Sequence, residues 1–527
     1  MAIHFTKGMV VMNLVTSLQS QAEQQPNKIA YHFMGKDTSY GELEHAVGKF
    51  AQALTTLGVK KGDHVALLLG NTPHFIVSLY ASMRIGATVI PVNPIYTPSE
   101  ISYIVNNGDV KVVIALDLLV PLVAEGEQLF PKVEHYIICE TQDDVMERVE
   151  LLPTMIHAKT SLFQALLHAA HEVAPITSVT IDDTAVILYT SGTTGVPKGA
   201  MLTHGNLYSN ARDIGTYLQY TANDKVIATL PVFHVFALTV VVNAPLISGA
   251  TIILVPKFSP KEVFHLVKEQ QATVFAGVPT MFNFLYQLPN SDAADFATIR
   301  LAISGGASMP VSLLHNFENK FNVRISEGYG LSEASPVTCF NPLVRERKAG
   351  SIGMSINNVE NKVVNEYGEE VPVGEVGELI VRGPNVMKGY YKMPEDSAFA
   401  LRDGWLYTGD LARMDEEGYF YIVDRKKDMI IVGGYNVYPR EVEEVFYAHP
   451  EVIEAAVVGF PDPDFGEAVH AYVVVKDEAV TEEVLMAYCK EHLAKYRVPK
   501  EIEIIEELPK NTTGKILRRS LKEQRKS

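Results

Sequence analysis

Residues 64–93 read HVALLLGNTPHFIVSLYASMRIGATVIPVN, a segment in which strand-like and helical apolar patterns alternate. The run HVALLLG is followed by a helical pattern, HFIVSLYASMRIG, and then by a second strand-like run, ATVIPVN. The same order continues with SEISYIVNN and VKVVIAL. Strands that alternate with helices build parallel sheets whose faces are covered by helices. The sequence therefore predicts an α/β protein.

The alternation resumes beyond residue 184 in further apolar runs that end at glycine, proline or small polar residues: TAVILYTSG, DKVIATLP, ATVFAGV and IRLAISGG. In α/β sheets of this kind, ligands bind beyond the carboxyl ends of the strands. We therefore expect the functional site at the junctions that follow these runs.

The length of the chain indicates more than one domain, because 527 residues exceed the roughly 250 to 300 that one core can serve. Past residue 350 the hairpin-like runs NKVVNEYGEE and GELIVRGP predict a small β-barrel-like unit. After the charged segment DRKKD at 424–428, helix and strand patterns predict a small α+β unit. We expect a large N-terminal domain over residues 1–424 and a C-terminal domain over residues 425–527.

Composition excludes several classes of protein. Acidic residues outnumber basic ones by 62 to 45, which disfavours binding to a nucleic-acid backbone. No run of about 18 apolar residues is present to form a membrane span, so at most peripheral membrane contact is expected. Three widely spaced cysteines and the lack of a convincing secretory cleavage region predict a cytoplasmic protein.

The loop TSGTTGVPKG at 190–199 has the composition of a phosphate-binding loop. Its glycines let the backbone approach an anion, and its hydroxyls and lysine can donate hydrogen bonds to it. The nucleotide P-loop pattern does not fit, since Pro197 precedes Lys198 and Gly199 follows it. A flexible surface loop is the alternative. The candidate phosphate ligands are Thr190, Ser191, Gly192, Thr193, Thr194, Gly195 and Lys198.

Six motifs in one order resemble the acyl-adenylate-forming superfamily, which includes acyl-CoA synthetases, firefly luciferases and the adenylation domains of peptide synthetases. The motifs are TSGTTGVPKG at 190–199, EGYGLSE at 327–333, YTGD at 407–410, DRKKD at 424–428, GGYNVYPREVE at 433–443 and PKNTTGK at 509–515. The resemblance implies two steps. A carboxylate attacks the α-phosphate of ATP to give acyl-AMP and pyrophosphate, and a thiol, here coenzyme A, then displaces AMP.

The resemblance also implies roles for single residues. Glu333 corresponds to the magnesium-binding carboxylate, a hard oxygen ligand suited to that ion, and we expect it to take part in catalysis. Ser332 stands where the family usually has threonine, and it retains the hydroxyl. Lys515 corresponds to the catalytic cation of adenylation, although without the motif it would be interpreted as one more solvated charge of the basic tail.

The nucleotide is expected to lie along a set of residues that match the family motifs. Gly305, Gly306 and Ala307 would border the adenine, Tyr329 would stack on it, and Asp410 and Arg425 would hold the ribose. The remaining candidates are Gly328, Gly330 and Ser332 around Tyr329, and Gly434 on the path of the thiol.

The family resemblance further implies a mobile C-terminal domain. That domain rotates between the two half-reactions about a residue two positions after the family arginine, which is Lys427 here. Rotation would withdraw Lys515 and bring Gly434 towards the thiol.

The acid substrate is indicated by the segment PVFHVFAL, which places His234 near the reacting carboxyl group. A lone histidine of this kind can also be a merely structural, partly buried one. Peptide-synthetase domains have aspartate after the phenylalanine, whereas here His234 follows Phe233, so an amino acid is disfavoured. The bulky tryptophan that shortens the pocket of acetate-specific relatives is absent, because the single tryptophan is Trp405.

The segments GVPTMF at 277–282 and YGLSEASPVTCFNP at 329–342 resemble long-chain fatty acyl-CoA synthetases. We therefore expect a ligase that joins a medium- to long-chain fatty acid to coenzyme A. An aryl-CoA ligase of the coumarate or benzoate type is the alternative, and a loading enzyme for a carrier protein is an alternative of another class. The expected partners are a fatty acid or other carboxylic acid, ATP with magnesium, and coenzyme A, and a homodimer is left open.

Overall fold

A computed structural model describes residues 12–142, 144–190, 196–477, 479–511 and 514–524. Across these ranges, no helix combines the length and hydropathy needed to cross a membrane. Four sheets organise this part of the chain: two large ones with mostly parallel strands and two small ones.

The first large sheet has a parallel centre and antiparallel edges. Within the described residues its nine strands lie in the order Met354–Ser355, Val337–Phe340, Ile325–Gly330, Leu301–Ser304, Val274–Gly277, Lys225–Ala228, Thr251–Leu254, Ile29–Phe33 and Lys36–Ser39.

The second large sheet is parallel up to strand Thr184–Thr190, beyond which its hairpin partner Lys198–Thr203 and then Gly389–Tyr390 are added in antiparallel pairs. Counting only described residues, its eight strands lie in the order Gly389–Tyr390, Lys198–Thr203, Thr184–Thr190, Thr88–Pro91, His64–Leu68, Val110–Leu116, His135–Cys139 and Thr160–Leu162. The hairpin is the one that carries the TSGTTGVPKG loop.

Helices lie between the two large sheets and on their outer faces. The longer helices are Leu14–Gln24, Tyr40–Thr56, Pro73–Arg84, Pro98–Asn107, Phe163–Ala169, His204–Tyr217, Pro260–Gln270, Pro279–Gln287, Val311–Phe321, Pro394–Ala400, Pro439–Ala448, Glu482–His492 and Arg518–Gln524. Shorter turns include Val120–Ala124, Gly126–Leu129, Val145–Glu150, Thr154–His157, Val235–Ala237 and Ala244–Ile247, and Leu238–Asn243 is a π-helix.

Side-chain alternation along the strands explains the layers. In strand His64–Leu68, Leu67 packs into the core shared by the two large sheets, whereas Leu68 packs into the outer core together with Ile104. Helix Pro73–Arg84 is apolar on nearly every side because it is buried within the shared core. The predicted parallel sheets covered by helices are thus confirmed.

The small β unit predicted after residue 350 is an antiparallel sheet. Its strands are Glu360–Val364, Gly377–Arg382, Leu401–Arg402, Trp405–Met414 and Phe420–Arg425. The long strand Trp405–Met414 is its centre, since it pairs with three of the others.

The C-terminal unit has the predicted α+β character. Its sheet comprises the strands Ile430–Val432, Tyr435–Val437, Val452–Asp462, Gly466–Val475 and Glu501–Ile504. Helices Pro439–Ala448 and Glu482–His492 pack on it through buried residues such as Phe446 and Leu485. A domain boundary between residues 424 and 425 stays a prediction of the sequence.

Hydrogen bonds tie the C-terminal unit to the rest of the protein. The Arg440 side chain donates to the carbonyl oxygen of Ile422 at 2.7 Å, and the Ser312 hydroxyl donates to that of Tyr447 at 2.9 Å. The Thr280 hydroxyl donates to the carbonyl oxygen of Gly514 at 3.2 Å. This last contact seats residue 514 beside the carboxyl end of strand Val274–Gly277.

Candidate active site

The candidate site lies where the central strands of the first large sheet end. His234 follows strand Lys225–Ala228, Gly305 follows Leu301–Ser304, and Glu333 follows Ile325–Gly330. The carboxyl ends of parallel strands share one edge, so these segments come together although they are far apart in sequence.

The candidate phosphate-binding loop follows Thr190, which pairs with Lys198 on the neighbouring strand of a hairpin. Ser191, Gly192, Thr193, Thr194 and Gly195 lie outside the described residues. The Lys198 ammonium forms an ion pair with the carboxylate of Asp396 and lies 5.4 Å from the centre of the Tyr390 ring. Lys198 is therefore held at the base of the loop by two residues that the sequence did not single out.

The candidate metal ligand Glu333 is held by its side chain and by its backbone. The Tyr390 hydroxyl donates to Glu333 Oε1 at 2.8 Å, and the Met387 N–H donates to the Glu333 carbonyl oxygen at 2.8 Å. Burial raises the pKa of the Glu333 carboxyl, although the Tyr390 hydrogen bond opposes that shift. A nearby cation would offset the cost of keeping this carboxylate charged.

Magnesium fits the donor set around Glu333. Among the described residues, no group of three or more His, Cys, Asp or Glu side chains could hold a metal ion by themselves. Mg²⁺ does not require such a group, because it is commonly bound by one or two carboxylates, substrate phosphates and water. Glu333 is thus suited to holding magnesium once phosphates supply the other ligands.

Asp410 is the centre of the predicted ribose site. Its Oδ2 accepts a hydrogen bond of 2.5 Å from the Tyr329 hydroxyl, and Nε of Arg425 lies 3.7 Å from its Oδ1. Asp410 and Arg425 are paired positions on neighbouring strands. Burial and the Asp410 charge raise the pKa of Tyr329 well above its ordinary value, so the hydroxyl keeps its proton and remains a donor. The structure therefore brings these three predicted residues together.

Gly328 and Gly330 have a steric reason to be glycine. A Cβ at Gly328 would lie 2.2 Å from Cδ2 of Phe340, and one at Gly330 would lie 2.4 Å from the carbonyl oxygen of Pro336. Both distances are far below van der Waals contact. The two glycines let strand Ile325–Gly330 pack closely against the antiparallel strand that follows it.

The segment predicted to border the adenine continues from strand Leu301–Ser304. Gly305 is buried, and a Cβ there would lie 3.1 Å from Cζ of Phe236. Gly306 has a φ of +79°, and with Ala307 it is exposed where the chain turns. Ser332 is half-buried one residue before Glu333. These positions are compatible with the predicted roles, which stay predictions.

The imidazole of His234 is neutral, and the positive charge of Lys515 acts on it. Burial and the nearby charge of Lys515 lower its pKa from 6.5 to about 4. Its Nδ1 accepts the Phe236 N–H at 3.3 Å, so the neutral ring carries its proton on Nε2. At neutral pH the side chain is therefore uncharged, and its Nε2–H can donate a hydrogen bond.

Lys515 is half-buried within the site rather than solvated in a tail. Burial and the charge of Arg425 lower its pKa from 10.5 to about 8, whereas Asp410 acts in the opposite direction. Its backbone N–H donates to Oδ1 of Asn511 at 2.9 Å, which closes a tight turn. Gly514 in this turn has a φ of +80°. The ammonium is thus mostly charged at neutral pH and is close to His234 and Asp410.

Arg518 anchors the segment that carries Lys515. Two of its hydrogen bonds, both of 2.8 Å, run from one terminal nitrogen to the two carboxylate oxygens of Glu443. Another nitrogen lies 3.7 Å from Asp424 and 3.6 Å from Asp428. This ion-pair cluster joins the C-terminal segment to the strand and turn around residue 425.

Gly434 and Lys427 are both exposed. Gly434 has a φ of +86° and is exposed in the hairpin between Ile430–Val432 and Tyr435–Val437. Lys427 is exposed in the turn closed by the Asp428 N–H and the Arg425 carbonyl oxygen at 3.0 Å. In the part of the chain that the structure describes, no hydrogen bond or ion pair links Gly434 to the residues around Lys515.

The sequence analysis missed Tyr390, Asp396 and the partners of Arg518. One available signal was the segment MPED, because proline followed by two acids is typical of a helix start. Helix Pro394–Ala400 begins there, and Asp396 lies in its first turn. The contact between Tyr390 and Glu333 joins residues 57 positions apart, and no local pattern reveals it.

The chain is similar to known proteins over nearly its whole length. The sequence matches the family described as AMP-binding enzyme over residues 18–391, and the AMP-binding enzyme C-terminal domain over residues 441–515. A long-chain-fatty-acid–CoA ligase of Bacillus subtilis strain 168 is 40% identical over 528 residues, which cover 97% of this chain and 94% of the relative.

One further relative and one solved structure are also similar to this chain. A feruloyl-CoA synthase of an Amycolatopsis species is 35% identical over 501 residues, covering 94% of this chain and 96% of the relative. The crystal structure of ATP-bound MatB from Rhodopseudomonas palustris superposes with a TM-score of 0.87 at 32% identity, covering 98% of this chain and 99% of that one.

Proposed function

The chain belongs to the family of AMP-binding enzymes, and from this premise we propose that it is an ATP-dependent ligase that joins a medium- to long-chain fatty acid to coenzyme A. The products are acyl-CoA, AMP and pyrophosphate. The observation that carries the proposal is the position of Lys515, whose charge acts on His234 and Asp410 and whose turn is seated by the hydrogen bond from the Thr280 hydroxyl to the Gly514 carbonyl oxygen at 3.2 Å.

In the first half-reaction, a carboxylate oxygen of the acid bonds to the α-phosphorus of ATP as the bond to pyrophosphate breaks. Lys515 supplies a cation between the two anions that react, and Nε2–H of His234 donates to the acyl oxygen. Positioned charges of this kind lower barriers at transferring phosphoryl groups without needing to reorganise.

The nucleotide is oriented by a second group of residues. Asp410 and Arg425 hold the ribose hydroxyl groups, and the adenine lies between Tyr329 and the segment Gly305–Ala307. Lys198 and the loop from Thr190 hold the phosphates that leave. Glu333 would hold magnesium, whose charge neutralises the phosphates of ATP.

In the second half-reaction, the thiol of coenzyme A bonds to the acyl carbon, and AMP leaves with the oxygen it gained from the acid. We propose that the C-terminal domain, residues 425–527, first turns about Lys427. Gly434 is exposed and, among the described residues, forms no hydrogen bond with the residues around Lys515, which supports a second orientation in which it approaches the thiol. A cytoplasmic location and a homodimer stay predictions of the sequence.

The fatty-acid assignment has two kinds of support. The Bacillus relative is named a long-chain-fatty-acid–CoA ligase and is 40% identical. Around the site, Phe236 and Val278 belong to the central apolar core, and Met281 and Leu331 pack against it half-buried. The feruloyl-CoA synthase, at 35% identity, keeps an aryl acid as the second candidate.

Activity should rise with the length of the acid. Each methylene buried in an apolar tunnel contributes about 0.8 kcal/mol, so six methylenes contribute at most about 5 kcal/mol. Ordering a flexible chain offsets part of this gain. We expect kcat/KM with coenzyme A to be about 100-fold higher for octanoate than for acetate, and palmitate to be used at least as well as octanoate.

The measurement is coenzyme A-dependent AMP formation with acetate, octanoate, palmitate, benzoate and coumarate. A maximum at coumarate or benzoate would assign the protein to the aryl-CoA ligases instead. Acyl transfer to a carrier protein in preference to coenzyme A would favour the loading enzyme.

A further inference from the structure

Residues 387–397 join the phosphate-binding hairpin to the candidate metal ligand. The Lys388 N–H donates to the Met201 carbonyl oxygen at 2.9 Å, and the Tyr391 N–H donates to that of Gly199 at 2.7 Å. Gly389–Tyr390 is thus an added edge strand on Lys198–Thr203. The 387–397 segment is therefore fixed to the strand that begins at Lys198.

The same segment forms hydrogen bonds with Glu333 at two points. The Met387 N–H donates to the Glu333 carbonyl oxygen, and the Tyr390 hydroxyl donates to Oε1 of its side chain, both at 2.8 Å. The Tyr390 backbone is fixed in turn, because its N–H donates to the Ser397 hydroxyl at 2.8 Å.

Tyr390 also lies beside the lysine of the phosphate-binding loop. Nζ of Lys198 is 5.4 Å from the centre of the Tyr390 ring and is paired with Asp396, one residue before Ser397. The Tyr390 side chain therefore lies next to Lys198, which the proposed function assigns to the triphosphate, and is bonded to Glu333, which it assigns to magnesium.

The chemistry of the two groups sets the direction of the bond to Glu333, because a phenol hydroxyl donates and a carboxylate oxygen accepts. The carboxylate is then an acceptor on the Oε1 side, and its remaining acceptor positions are left for a cation.

We infer that Tyr390 is a positioning residue that holds the Glu333 carboxylate in the orientation that binds magnesium with ATP. This inference rests on the proposed function. Glutamate has three side-chain torsions, and a hydrogen bond from a fixed ring removes much of their freedom. In this role Tyr390 acts through Glu333 and is assigned no direct contact with the acid or the metal.

The test is Tyr390→Phe, which removes one oxygen and keeps the ring. ATP affinity is measured by calorimetry without acid, with and without Mg²⁺, so that no turnover is involved. In the unaltered protein we expect Mg²⁺ to tighten ATP binding. In the variant we expect this gain to shrink about tenfold, in line with the loss of one hydrogen bond to a charged group, while metal-free ATP affinity stays within about twofold.

The neighbouring Tyr391→Phe is a matched control. The Tyr391 hydroxyl also donates to a carboxylate, that of Asp109 at 2.9 Å, but away from the site. This control should keep the full magnesium gain, and both variants should melt within a few degrees of the unaltered protein. An unchanged gain in Tyr390→Phe, or an equal loss in Tyr391→Phe, would overturn the inference.

A double-mutant cycle keeps the inference testable if Tyr390→Phe has a broader structural effect. In a Glu333→Gln background, Tyr390→Phe should change Mg²⁺-dependent ATP binding less than twofold, because the group it orients is no longer a carboxylate. Additive losses would contradict the positioning role. Failure of the proposed function is distinguishable, because the unaltered protein would then form little or no acyl-CoA from octanoate and palmitate, whatever the effect of Mg²⁺ on its ATP binding.

Discussion

Lys515→Ala is expected to form acyl-AMP about 100- to 1,000-fold more slowly than the unaltered protein, the range found when one charge-stabilising group is removed from a transition state. The same variant should convert supplied acyl-AMP and coenzyme A to acyl-CoA at a rate within about tenfold of normal. The asymmetry follows from the position of Lys515, whose charge acts on His234 and Asp410 in this orientation and would leave with the C-terminal domain.

The two half-reactions are measured separately, as pyrophosphate release and as AMP release from acyl-AMP. Lys522→Ala, which removes another lysine of the C-terminal segment, should leave both rates unchanged. The pKa of Lys515 is about 8, so its charge is lost as the pH rises through that value. Adenylation by the unaltered protein should therefore decline above pH 8, and Lys515→Ala should lack that decline. Equal loss of both half-reactions would refute the division of roles.

Lys427→Pro is expected to reduce overall acyl-CoA formation about 100-fold, whereas Lys427→Ala should stay within about threefold of normal. A hinge must change its backbone torsions, and proline fixes φ and restricts the residue before it. Lys427 is exposed, and within the described residues its side chain makes no hydrogen bond or ion pair. The alanine variant therefore breaks no side-chain contact among these residues.

The ratio of the two half-reaction rates identifies the cause of the loss. A protein confined to one orientation should lose one half-reaction at least about tenfold more than the other, since each needs its own arrangement of the C-terminal domain. Full turnover by Lys427→Pro, or an equal fall in both half-reactions, would place the hinge elsewhere.

Sequence patterns predicted the layers of this protein because burial determines where apolar residues fall. Strand geometry directs Leu67 and Leu68 into two different cores, and the run HVALLLG is apolar throughout because both faces of the strand are buried. The pairing of Asp410 with Arg425 was anticipated because both lie in motifs, and the structure places them opposite each other on adjacent strands.

Contacts between distant segments left no such record. Arg518 resembles a solvated tail charge in the sequence, yet it is paired with Glu443, which lies 75 positions earlier. Tyr390 joins Lys198 and Glu333 only because an edge strand places it between them. Gly328 and Gly330 were assigned to nucleotide binding by resemblance, whereas the structure adds a packing reason that the sequence could not supply.

The most direct test of the account follows the oxygen atoms of the acid. Palmitate labelled with oxygen-18 in both carboxylate positions is incubated with the protein, Mg²⁺, ATP and coenzyme A, and the products are analysed by mass spectrometry. If the carboxylate attacks the α-phosphate, AMP gains one labelled oxygen, acyl-CoA keeps the other, and pyrophosphate carries none. Label in pyrophosphate or inorganic phosphate, or formation of ADP in place of AMP, would contradict an acyl-adenylate mechanism.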